Sequence, residues 1–255
     1  MRKTGVILDI GGVLLDGERP MPGAAEALQR LRDAGIPFLL LTNTTRTCRA
    51  DLLRRLDHAG LAVTSEQLLT PATMACDWLS ISGRMPFLLI HPGLRPDFEE
   101  CLAQGADAHP DAVVVGDAGD GFSYAALNAA FRLLLEGVPL LSLSGSRYFR
   151  EGGEVFLDAG PFVRLLEEAS GVRALEMGKP GELFFGHAVA RLGLEAGEVS
   201  MIGDDVESDI RGACEVGLRG VLVQTGKYHP GDEDRLPSGA RLARDVVEAV
   251  DGILG

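Results

Sequence analysis

Four stretches of this chain carry side chains suited to chemistry on a charged ligand. Asp9 ends the apolar run Gly5-Val6-Ile7-Leu8, and Gly11-Gly12 follow within three residues. Thr42-Asn43 follow the apolar run Ile36 to Leu41. Lys179, in Gly178-Lys179-Pro180, opens a helical stretch after Leu175-Glu176-Met177. Asp204-Asp205 follow Val199-Ser200-Met201-Ile202-Gly203, with Asp209 close behind. Two carboxylates brought together, Asp9 and Asp204, repel unless a cation lies between them, and an all-oxygen donor set suits Mg²⁺. A Thr hydroxyl, an Asn amide and a Lys ammonium are donors for the oxygens of a phosphate. The Gly11-Gly12 pair lets such a ligand approach the backbone closely. An Asp at the centre of a metal–phosphate site can act as a nucleophile and form an aspartyl phosphate. Each piece also has a plainer reading: strand-end caps for Asp9 and Asp204, a helix N-terminal acid for Asp209, a solvated Lys179, and turn formers in Thr42-Asn43. What favours a single site is that the stretches recur at the ends of predicted strands.

The elements that must hold these residues follow from the apolar pattern. Short, mostly apolar runs at 5–8, 36–41, 199–202 and 220–223 read as buried strands of a parallel sheet. Helices are expected near 24–34, 48–58, 182–192, 210–216 and 244–253. In a parallel sheet the carboxyl ends of the strands share one edge, and open α/β sheets bind ligands there. Between these two blocks the chain has its own strand–helix rhythm. Strands are expected at 87–90, 112–115, 139–142 and 172–175, with helices near 97–103, 124–136 and 161–169. The predicted fold is therefore α/β: a doubly wound parallel-sheet (Rossmann-like) core with a second α/β domain inserted into it. The expected boundaries are 1–74 and 178–255 for the core and 75–177 for the insert. An insert of about a hundred residues is an ordinary domain size.

Composition narrows the classes. With 255 residues, 46% of them hydrophobic, the chain can bury a large core. Lys and Arg number 24 against 37 Asp and Glu, a net charge of −13, which argues against nucleic acid as a partner. No apolar run has membrane-spanning length and no signal-like segment begins the chain, so no membrane association and a cytoplasmic location are expected. The four cysteines, Cys48, Cys76, Cys101 and Cys214, show no zinc spacing, which fits a reducing compartment. No Walker-A loop, GxGxxG, HExxH or GxSxG occurs.

The order Asp9…Thr42-Asn43…Gly178-Lys179-Pro180…Gly203-Asp204-Asp205-x-x-x-Asp209 resembles the haloacid dehalogenase superfamily of phosphohydrolases. The insert between the Thr and Lys motifs resembles the α/β cap of the type IIA branch. Thr42-Asn43-Thr44-Thr45, Phe122-Ser123-Tyr124, Asp158-Ala159-Gly160-Pro161-Phe162 and Thr225-Gly226-Lys227-Tyr228 are similar to stretches of that branch. The resemblance implies Asp9 as nucleophile and Mg²⁺ ligand, Gly11 as a ligand through its carbonyl, and Asp204 as the third protein ligand. Asp205 and Asp209 would support the metal from behind, and Thr42, Asn43 and Lys179, with the Gly11-Gly12 backbone, would hold the phosphoryl group. It also implies a homodimer joined through the cap.

One departure bears on mechanism. Most superfamily phosphatases place a general acid two residues after the nucleophile, and here that position is Gly11. Losing such a group typically costs about 10²–10⁴-fold in rate. Asp16 or Glu18 in the next loop could substitute, or could be solvated loop acids. Without an acid, a departing alkoxide leaves unprotonated, so small substrates with good leaving groups are expected: phosphoramidates, pyrophosphate and aryl phosphates. The competing expectation is a phosphate-binding or regulatory protein with weakened catalysis. Asp117, Asp120, Phe122 and Tyr124 are candidates for a cap loop facing the substrate, or a turn with core aromatics.

Overall fold

The structure is a computed structural model that describes residues 3–103, 109–151 and 154–255. The chain divides into two compact units, one formed by 1–42, 50–69 and 179–255, the other by 43–49 and 70–178. The second unit thus begins five residues earlier than the expected boundary and also takes in the segment after Thr42.

The first unit is built on a six-stranded, all-parallel sheet. Its spatial order is Arg241–Ala243, Arg219–Val223, Val199–Gly203, Gly5–Asp9, Phe38–Leu41 and Leu68–Leu69. Gly5–Asp9 is central, with Ile7 opposite Met201 on one side and Leu39 on the other. Every residue of Gly5–Asp9, Phe38–Leu41 and Val199–Gly203 is buried, as a strand with both faces covered requires. The helix Ala24–Asp33 supplies Ala24, Ala27, Leu28 and Leu31, one apolar stripe at helical spacing, and packs beside Val246–Leu254. Arg49–His58, Glu182–Leu192 and Gly212–Glu215 are its other α-helices. Because the sheet is parallel, Asp9, Thr42, Asp204 and Thr225 all emerge from carboxyl ends of strands.

The second unit has a four-stranded parallel sheet in the order Ala174–Glu176, Leu140–Ser142, Ala112–Val115, Pro86–Leu89. Helices Tyr124–Leu135 and Ala159–Ser170 pack against one another. The sequence reading lacks the helix Pro71–Ser82, although its start is well marked. Thr70 accepts from the Thr73 amide, and Pro71 stands at the first helical position. It also lacks the antiparallel hairpin Tyr148–Glu151/Glu154–Leu157, whose second strand is exposed at every residue and so shows no inside–outside alternation of burial. Among the described residues no helix is long and apolar enough to cross a membrane.

Candidate active site

The carboxyl edge of the six-stranded sheet gathers four ionisable side chains from distant parts of the chain. Asp9, Asp204 and Asp209 each offer a carboxylate oxygen, and these oxygens lie within 4.8 Å of one another. Lys179, only 5% exposed, donates from Nζ to Asp9 Oδ1 at 2.5 Å and lies 2.6 Å from Asp209 Oδ1 as an ion pair. Burial alone would push the lysine down. The charges of Asp209 and Asp9 together hold it above the ordinary lysine range, so the ammonium stays protonated.

Asp209 reaches the cluster because the chain after Asp205 does not form the helix expected at 210–216. Instead it makes a wide π-helical turn, Val206–Arg211, followed by the short helix Gly212–Glu215. The Ile210 amide donates to the Asp205 carbonyl at 3.3 Å, a five-residue span. The turn folds Asp209 back so that Oδ2 accepts from the amides of Asp204 and Asp205, both at 3.2 Å. Asp205 points elsewhere: Oδ1 accepts from the amides of Glu207 and Ser208 and caps the turn. Burial pushes the Asp209 carboxyl up despite the neighbouring Lys179.

Asp204 is the carboxylate with capacity to spare. Its Oδ2 accepts from the Lys227 amide at 2.8 Å, while the buried Oδ1 has no hydrogen-bond partner. A buried carboxylate oxygen without a partner is costly. Burial, and then the charge of Asp9, push this carboxyl up to about 7. The three buried carboxylates have one buried ammonium among them, paired with Asp9 and Asp209, so the cluster carries an excess of negative charge. These residues fit a divalent cation: the donors are all oxygen, one is unpaired, and the like charges are those a cation would relieve.

Residues 6–103 match the family model described as haloacid dehalogenase-like hydrolase, and residues 176–249 match a second, HAD-hydrolase-like model. The chain is 38% identical over 257 residues to human phospholysine phosphohistidine inorganic pyrophosphate phosphatase, covering 98% of this chain and 94% of that protein. The chain belongs to the haloacid dehalogenase-like hydrolases. Human haloacid dehalogenase-like hydrolase domain-containing protein 2 is 40% identical over 250 residues, with 98% and 95% covered. Among solved structures, NagD from E. coli K-12 matches with a TM-score of 0.84, 26% identity, and 97% and 98% of the two chains covered. The p-nitrophenyl phosphatase from Archaeoglobus fulgidus shares the fold, with a TM-score of 0.87 at 22% identity over 99% and 100% of the chains.

Within this haloacid dehalogenase-like hydrolase the remaining expected residues are placed as follows. Thr42 is buried at the sheet edge, its amide donating to the Leu69 carbonyl at 3.3 Å. Asn43 belongs to the second unit and is partly buried there. Gly11 is exposed, and a Cβ built on it would meet only Asp9 Oδ2, at 4.0 Å. The Gly12 amide donates to the Leu15 carbonyl at 2.7 Å and its carbonyl accepts from Thr225 Oγ1 at 2.5 Å, so both backbone groups have partners within the fold. Asp16 and Glu18 are exposed on the tight hairpin Leu15–Asp16/Arg19–Pro20, pinned by Arg55 Nη2 donating to the Gly17 carbonyl. In the second unit Asp117 is buried against Arg46, Phe122 stacks on Phe162 with ring centroids 3.7 Å apart, and Asp120 and Tyr124 are exposed.

Proposed function

We propose that this phosphohydrolase is a Mg²⁺-dependent phosphatase working through an aspartyl phosphate on Asp9. The observation that carries the reading is the buried excess of carboxylate at the sheet edge, with Asp204 Oδ1 unpaired beside Asp9 and Lys179. Asp9, the Gly11 carbonyl and Asp204 would hold the cation, with Asp209 and the capping Asp205 fixing the backbone from which Asp204 projects. Mg²⁺, when bound, offsets the carboxylate charge and draws electron density from the phosphoryl oxygens. Asp9 attacks phosphorus with one carboxylate oxygen as the bond to the leaving group breaks. Lys179 turns hydrogen bonds from Asp9 toward the phosphoryl oxygens, which frees the nucleophile and balances the transferred charge. Thr42 and Asn43 supply neutral donors to the same oxygens. Water then cleaves the acyl phosphate, returning Asp9 and releasing phosphate.

The leaving group departs past Gly11, which offers no proton. Alkoxides are therefore poor leaving groups. A phosphoramidate nitrogen can be protonated beforehand, and phosphate and nitrophenolate are stable anions. We therefore assign small phosphorylated substrates of those kinds: phosphohistidine, phospholysine, pyrophosphate and aryl phosphates. The name of the human relative supports the same chemistry. The second unit acts as the cap, and the protein is a cytoplasmic homodimer joined through it. Tyr148, Val155 and Leu157, each more than half exposed, support the dimer. Light scattering should report about twice 27.1 kDa.

The deciding experiment is turnover of p-nitrophenyl phosphate by purified protein with Mg²⁺ and after EDTA. Activity that vanishes with EDTA and returns with Mg²⁺ is expected. Full activity without metal overturns the metal assignment. Tight phosphate binding without turnover would favour the regulatory protein.

A further inference from the structure

The loop after the strand Arg219–Val223 touches the site at three points, although none of its residues is among the four stretches expected to do the chemistry. Thr225 Oγ1 donates to the Gly12 carbonyl at 2.5 Å. Gly226, at φ +63°, packs against the Gly12 Cα, and a Cβ on either glycine would collide with Asp204 Oδ2. Gly12 itself sits at φ +73°. Both positions thus require the left-handed region and tolerate no side chain. The Lys227 amide donates to Asp204 Oδ2 at 2.8 Å, and its exposed ammonium lies 3.4 Å from Asp205 Oδ2. The Tyr228 amide donates back to the Thr225 carbonyl at 3.2 Å, closing the turn.

We infer that Thr225-Gly226-Lys227 is a clasp that positions the nucleophile loop and sets the orientation of Asp204. The amide of Lys227 holds Asp204 Oδ2, which leaves Oδ1, without a hydrogen bond, as the oxygen turned to a cation. The Thr225 hydroxyl fixes Gly12, and with it the backbone between Asp9 and the turn. Carboxylate ligands are commonly oriented in this way by groups behind them, and removing such a group typically weakens metal binding about 10–100-fold. Thr225 is therefore a positioning residue that touches neither substrate nor reacting atoms. The inference rests on the metal site proposed above.

The test is calorimetric titration of the substrate-free protein with Mn²⁺, for the parent, Thr225→Val and Thr225→Ser. Thr225→Val keeps the shape and deletes the donor. It is expected to weaken Mn²⁺ binding by about tenfold or more, with the melting temperature in EDTA little changed. Thr225→Ser, which restores a hydroxyl, should recover most of the affinity. If Thr225→Val does not fold, Thr225→Ala, which adds no new contact, takes its place. Unchanged Mn²⁺ affinity in a folded variant lacking the hydroxyl overturns the clasp while leaving the metal site standing. A parent that binds no Mn²⁺ overturns the metal site, and the clasp's assigned purpose falls with it.

Discussion

Two clusters of buried charge, one in each unit, are satisfied in opposite ways. In the second unit Asp117, only 2% exposed, accepts from Arg46 Nε at 2.5 Å and from the Gly119 amide at 3.0 Å. The Arg46 guanidinium lies 4.3 Å from the Phe149 ring centroid. Nearby, Asp158 accepts from the Ala159 amide and from Ser144 Oγ, although burial holds its carboxyl above the usual range. Both oxygens of each acid are engaged. At the sheet edge of the first unit, by contrast, Asp9 and Asp209 share Lys179, and Asp204 Oδ1 has neither a hydrogen bond nor an ion pair with it. Buried charge that is fully partnered braces a fold. A surplus of one sign with an unpaired atom marks a place prepared for something that is not protein.

That contrast can be broken most sharply at Asp9. Asp9→Asn keeps the shape but removes the oxygen proposed as the nucleophile, and turnover of p-nitrophenyl phosphate should fall by at least about 10⁴-fold with the circular dichroism spectrum unchanged. Near-normal turnover by the folded variant would remove Asp9 from the chemistry.

The open space at Gly11 offers a gain. A Cβ there meets only Asp9 Oδ2 at 4.0 Å, so Gly11→Asp is sterically permitted. It should raise kcat/KM on an alkyl phosphate more than on an aryl phosphate, by up to about 10²–10⁴-fold. Equal effects on both substrates would show that proton donation to the leaving group is not what the parent lacks.

In stability the two clusters should respond with opposite sign. Asp117→Ala removes the acceptor of Arg46 Nε and of the Gly119 amide and should destabilise the protein by about 2 kcal/mol in urea denaturation, with Mn²⁺ affinity unchanged. Asp204→Asn removes a repelled charge. In EDTA at pH 8 it should stabilise the protein by roughly 1 kcal/mol, while Mn²⁺ binding is lost. Destabilisation by Asp204→Asn would mean that its carboxylate is a structural acceptor, like Asp117.

The smallest effect is the pH dependence of the metal-free protein. Asp204 has a folded pKa of about 7 against an ordinary value of 3.8. The folded state therefore holds this proton more tightly than the unfolded chain. The resulting stability is fully present below about pH 4 and is lost as pH rises through about 7. Melting temperatures in EDTA should carry this component, and Asp204→Asn should remove it. Mn²⁺ affinity should rise over the same interval as the proton is displaced.

Much of this site is legible in the linear chain, for a local reason. Asp9, Thr42 and Asp204 each end an apolar run too short for a helix, and a parallel sheet puts such ends on one edge whatever the order of its strands. The same locality makes Asp205 readable as a strand-end acid, whereas the meaning of Gly11 as a position without a proton donor comes only from the family resemblance. The helix Pro71–Ser82 was equally readable from Thr70-Pro71 and Thr73. Other features depend on contacts between residues far apart in sequence. Lys179 meets Asp9 across 170 positions and Thr225 meets Gly12 across 213, and the second pairing follows the order in which Val199–Gly203 lies between Gly5–Asp9 and Arg219–Val223. The two-residue strand Leu68–Leu69 is too short to show a period, and it forms because Leu40 and Leu41 offer an edge to pair with. Whether Asp209 caps a helix or folds back on Gly203 turns on a single extra residue in one turn, which no local propensity specifies. Sequence alone placed acids, donors and glycines at strand ends. Tertiary structure alone decided which oxygen is satisfied and which is left for a cation, because partner choice in a buried cluster is set by three-dimensional proximity and by how many donors the surrounding backbone has to give.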